Sequence, residues 1–152
     1  MAGMTNRGKK KILDYYFRRQ GTLPTNFYIA LVTSAQAPGP DTNLLSDLTQ
    51  IAAGNGYISG GIQISPNTTD FDTMTEDDVA DKGILQINDI VWTASGGALP
   101  ASGNGARYAV LTDDNGTVGN REVLFYWDLV SDRSVSSGVQ LSLKDLEIQL
   151  TE

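Results

Sequence analysis

Residues 26–34 read NFYIALVTS. The run is short, rich in aromatic and β-branched side chains, and bounded by Pro24 on one side and the Pro38-Gly39-Pro40 turn on the other. That combination marks a buried strand rather than a helix. The same signals recur on the C-terminal side. After the Gly54-Asn55-Gly56 turn, residues 57–64 read as a strand in which Gly60-Gly61 signals a bulge or a close backbone approach. Residues 84–93 read as one strand, with Ile84, Gln86, Asn88 and Ile90 on one face and Leu85, Ile87, Asp89 and Val91 on the other. Residues 106–112 and 122–130 form two more, joined by a loop holding the Asp114-Asn115-Gly116 turn. Residues 139–143 and 146–150 alternate apolar and polar. Between the strands, residues 41–50 read as a loop with one helical turn, residues 95–105 as loop and residues 132–137 as a polar turn. Thr75, followed by Glu76, Asp77 and Asp78, reads as a capped helical turn that Gly83 ends. About seven strands with dense turns predict a mainly β chain: an antiparallel β-sandwich or barrel-like sheet with one N-terminal α-helix.

Upstream of residue 26 the pattern changes. Residues 1–8 have no periodicity and read as a flexible tail. Ile12, Leu13, Tyr16 and Phe17 then fall on one stripe of a helix over residues 9–20, and Arg18 and Arg19 suit its C-terminus. The division expected is a basic arm and helix over residues 1–20 and a single β domain over 21–152. Charge follows this division. The 152-residue chain carries −7 overall, but residues 1–19 hold Arg7, Lys9, Lys10, Lys11, Arg18 and Arg19 against Asp14 alone, a net +5. The remainder, with five cations and seventeen carboxylates, stands at −12. A basic arm on an acidic body points to an acidic protein surface as partner and argues against nucleic acid. Two arrangements of the helix are open: its apolar stripe packs on the sheet with the charges in water, or the six cations dock on a partner.

The chain has no His and no Cys. This leaves no disulfides, thiol nucleophiles, His bases or ordinary zinc sites to expect. No apolar stretch is long enough to span a membrane, and the start lacks the apolar run of a secretory signal. The acidic segment Asp70–Asp81 does not fit an EF-hand, because Met74 and Thr75 stand where an acidic or amide residue and Gly are needed. It reads as a solvated loop, with a loose calcium site as the alternative. Asp128, between Trp127 and Leu129, is expected on the exposed face or paired with a cation such as Arg107. The Gly-rich turns lack the Gly-Lys-Ser/Thr of a phosphate loop. Tyr28, Tyr57, Tyr108, Tyr126, Trp92 and Trp127 read as core side chains, with a sugar-stacking face as the alternative. No catalytic residue, metal or cofactor is expected.

The order of these pieces resembles a family of tailed-bacteriophage virion proteins. The residues that carry the resemblance are Lys11-Ile12-Leu13-Asp14 in the helix, Phe27-Tyr28-Ile29-Ala30-Leu31-Val32-Thr33 in the first long strand, Gly54-Asn55-Gly56-Tyr57-Ile58-Ser59 after the loop, residues 109–116, and the closing residues 135–138 and 143–150. The sequence departs from the family at Asn55, where Gly is usual, at Ser59, where Arg is usual, and in a longer acidic insert around residues 70–82. The resemblance implies a non-enzymatic structural protein. Its expected role is a capsid decoration (cement) protein that binds the outside of the phage head shell and stabilises it as a trimer, made in the host bacterial cytoplasm and carried on the virion. The implied partners are the major capsid protein and neighbouring copies of itself, with Arg7, Lys9, Lys10, Lys11, Arg18 and Arg19 as the docking residues, and no direct nucleic acid or membrane contact. The alternative is a minor tail, baseplate or tail-fibre-associated structural protein.

Overall fold

A computed structural model describes residues 2–151. Met1, part of the expected tail, and Glu152 lie outside the described residues. The chain is mainly β, with antiparallel sheets that do not close into a barrel and one N-terminal helix. Its largest sheet is built on β2 (Phe27–Val32), the stretch singled out above. β7 (Ala106–Thr112) and β3 (Ile62–Ile64) flank β2; β8 (Val123–Arg133) lies beyond β7, and β1 (Ala2–Met4) closes the edge. Every pairing is antiparallel.

Register explains why β2 is apolar throughout. Ile29 stands opposite Leu111 and Leu111 opposite Phe125, while Leu31 stands opposite Ala109 and Ala109 opposite Trp127. These rows face the main core. There they meet Ile87, Ile90, Trp92, Leu141, Leu143 and Leu146 of the smaller sheets. The alternate row, Ala30, Val110 and Tyr126, faces the other way, and Leu45 and Leu48 cover it from the loop that crosses this side. A strand buried on both faces has no polar alternation to show. The loop over residues 41–50 does contain one helical turn, Leu45–Asp47.

The second layer comprises a three-stranded sheet, β10 (Leu146–Thr151)–β5 (Lys82–Ile87)–β4 (Thr73–Asp77), and a pair, β6 (Ile90–Thr93)–β9 (Gln140–Leu143). Trp127 ties the layers together, its Nε1 donating to the Glu147 carbonyl at 2.8 Å.

Several sequence expectations are corrected. The helical turn expected after Thr75 is instead a β-hairpin, β4–β5. Asp77 Oδ1 accepts the N–H groups of Val79 and Ala80, at 3.1 and 3.0 Å, so the acidic run closes a turn rather than capping a helix. The single strand over 84–93 is two strands. Ile87 and Ile90 are both buried yet three residues apart, which one flat strand cannot provide, and the chain turns at Asn88-Asp89 into another sheet. The strand over 57–64 shrinks to β3, because Gly61 lies so close to β2 that a Cβ there would stand 1.9 Å from the Ile29 carbonyl oxygen. β8 runs on past residue 130 and into the expected polar turn, as far as Arg133. Ten strands form among the described residues, where about seven were expected.

The expected tail is also corrected. Residues 2–4 are β1, paired with Phe125–Trp127 of β8. The helix starts earlier than predicted, with α1 spanning Asn6–Leu13. Thr5 is its N-cap and accepts from the Gly8 N–H at 2.9 Å. The helix then widens into a π-helical turn, Asp14–Arg18, and ends where Arg19 enters the left-handed region at φ 52°.

Candidate functional site

The N-terminal helix meets the body through the side opposite its apolar stripe. Thr5 and Gly8 are buried, whereas the apolar stripe is not. Gly8 packs so tightly that a Cβ would lie 2.3 Å from the Leu124 carbonyl oxygen. Thr5 Oγ1 donates to the Val123 carbonyl at 2.6 Å, the Thr5 N–H to the Leu124 carbonyl at 3.1 Å, and the Asn6 N–H to the Pro40 carbonyl at 2.7 Å. On the same side Glu122 receives Arg7 at 3.1 Å and Lys11 at 2.6 Å. Hydrogen bonding to Glu122 holds the Lys11 ammonium above its ordinary value, outweighing partial burial. Two of the six predicted docking cations therefore fasten the helix to its own body.

Two more are engaged within the helix. Lys10 and Arg18 both pair with Asp14, which lies four residues from each, and Lys10 is the main reason the Asp14 carboxyl is held below its ordinary value. Lys10 and Arg18 remain largely exposed even so. Lys9 and Arg19 are exposed and make no ion pair among the described residues.

The stripe of Ile12, Leu13, Tyr16 and Phe17 does not pack on the sheet. Tyr16 and Phe17 are 74% and 72% exposed, and Leu13 and Leu23 are more than half exposed. The two aromatic rings meet edge to face, 5.0 Å between centroids. The stripe faces outward because the body takes the opposite side of the helix: two small residues for close approach and two cations for Glu122. The outer surface thus combines an apolar strip with a border of Lys9, Lys10, Arg18 and Arg19. A contiguous exposed apolar surface with a charged rim is the usual form of a protein contact site.

The remaining candidates are accounted for elsewhere. Arg107 Nε donates to Asp128 Oδ1 at 2.9 Å, and that guanidinium is the chief reason the Asp128 carboxyl lies below its ordinary value. Of the aromatic residues, Tyr57, Trp92, Tyr126 and Trp127 are core side chains, and Tyr28 and Tyr108 are half-buried, so they form no stacking face. Two grooves border β1. One is lined by Asp128, Arg133 and Lys144, the other by Lys9, Asp145 and Glu147, and neither brings a nucleophile to a base among the described residues. Among those residues no group of three or more Asp or Glu could hold a metal ion, and no helix is long and apolar enough to cross a membrane.

One residue escaped the sequence reading altogether. Arg121 is buried, its guanidinium 3.5 Å from the Tyr28 ring centroid, with Nη1 donating to the Gly60 carbonyl at 3.0 Å and Nε to the Asn115 carbonyl at 3.2 Å. Among the described residues its charge is met by a π-face and carbonyl dipoles rather than by a carboxylate. No family model, curated protein or solved structure matches this chain.

Proposed function

We propose that the chain is a non-enzymatic virion structural protein, a decoration protein that binds the outside of a phage head shell and stabilises it as a trimer. The observation that carries this reading is the outward-facing apolar strip of Ile12, Leu13, Tyr16 and Phe17 with its basic border. A helix whose inner side is pinned by Thr5, Gly8 and Glu122 offers that strip as a preformed surface for a neighbouring copy within the trimer, so little ordering cost opposes a contact made there. The sequence resemblance supplies the virion context. Repetition over many copies would turn a modest contact into large stabilisation of a shell.

The test is copy number. Purified virions are quantified for this chain against the major capsid protein by mass spectrometry. A ratio near one is expected. A ratio near a hundredth would replace the reading by a tail or baseplate role, and absence from the particle would overturn it.

A further inference from the structure

The exposed strip has a counterpart on the same molecule. The β4–β5 hairpin extends with nearly all of β4 exposed, and β4 is the edge of its sheet. Between residues 72 and 81 it carries Asp72, Glu76, Asp77, Asp78 and Asp81 and no cation. Charge along an edge strand protects it from pairing with other strands, which accounts for the carboxylates. It does not account for Met74 at 77% exposure and Val79 at 96%, the latter in the turn. Apart from Lys82, opposite Asp77 at the start of β5, the hairpin sets apolar side chains among anions, and the helix sets apolar side chains among cations. Both are exposed, so neither covers the other within one chain.

We infer that the acidic β4–β5 hairpin of one copy docks on the basic, apolar outer face of the N-terminal helix of the next copy, a head-to-tail contact that closes into a ring. Met74 and Val79 lie against Tyr16 and Phe17, where a thioether and aromatic rings pack favourably. Lys9 and Arg19, which make no ion pair among the described residues, meet the hairpin carboxylates. Two different patches meet, so the contact is heterologous. Such a contact closes into a ring where the rotation between copies divides a full turn and runs on into a filament where it does not; the ring is the proposed arrangement. The inference rests on the proposed function only for where the ring sits, and its test uses the purified protein alone.

Sedimentation velocity over a concentration series reads the contact directly. The wild-type chain is expected to associate beyond a dimer, and about tenfold more weakly when salt is raised from ~0.05 to ~0.5 M. Two variants, Phe17→Ser on the helix and Glu76→Lys with Asp78→Lys on the hairpin, are each expected to be monomeric. All these positions are exposed, and thermal melts matching wild type confirm that the variants fold. Mixed together, the two variants are expected to form a one-to-one heterodimer, because each retains the surface the other lacks. A hairpin variant that still self-associates would show a helix-to-helix contact and overturn the inference. So would a mixture that stays monomeric, or a wild-type chain that is monomeric throughout. The virion ratio is unaffected by any of these outcomes, so the two readings fail separately.

Discussion

Thr5 is fully buried and serves two partners at once: its hydroxyl donates to the Val123 carbonyl and accepts from the Gly8 N–H. Thr5→Val keeps the shape and removes both bonds, leaving a buried carbonyl and an uncapped helix N–H. The expected loss is about 2 kcal/mol, or ~6 °C in Tm, measured by denaturant and thermal unfolding. Thr5→Ser should retain most of the stability. None of this was legible beforehand. A threonine near the start of a chain carries no sign that its partner lies at residue 123, and Gly8 carries no sign that its missing side chain lets the helix backbone reach Leu124. Arg121 is the same case: its ring partner, Tyr28, lies far away in sequence, and the neighbouring Glu122 turns instead to Arg7 and Lys11.

At the level of elements, β7 and β8 are joined across the sheet by Arg107 and Asp128. The Asp128 carboxyl is held below its ordinary value in the folded protein, so the unfolded chain binds a proton there first as pH falls. The stabilisation is fully present above the ordinary carboxylate range and is lost as pH falls through the depressed folded value. Asp128→Asn should therefore lose stability relative to wild type at pH 7, and that difference should shrink toward pH 2 in denaturant titrations. Burial acts in the opposite sense on Asp113, whose carboxyl is raised, so a wild-type curve alone would mix the two effects and only the comparison isolates Asp128. The elements that sequence predicted well were those with one apolar face or two. β2, β7, β9 and β10 fall close to their expected places for that reason. β1 was missed because Ala-Gly-Met is too short to show alternation, and β4 because nearly all of it is exposed and shows no apolar face. The helix was found, and of the two arrangements left open for it, the one that packs the apolar stripe on the sheet is not the one it adopts. Hydrophobic periodicity assumes that the apolar side is the buried side, and here two small residues and an ion-pair cluster outcompete it.

Across the whole molecule, the N-terminal stretch is part of the main sheet: residues 2–4 supply its edge strand. A truncation lacking residues 1–8 removes β1, the Thr5 network and the Arg7 contact to Glu122 together. It should be less stable than Thr5→Val and prone to aggregate along the bared edge of β8, as read by denaturant midpoint and light scattering. A truncated body with the wild-type midpoint would show that β1 adds nothing. For the same reason, point changes at Tyr16 or Phe17 probe the outer face, whereas deletion of the helix would damage the sheet. The pairing of Ala2 with Trp127 also orders events in time. Residues 2–4 must wait for a partner made more than a hundred residues later, and β2 likewise waits for β7. Contacts this distant along the chain slow folding. Until β7 and β8 have been made, the growing chain presents its exposed helix stripe and an unmated β2.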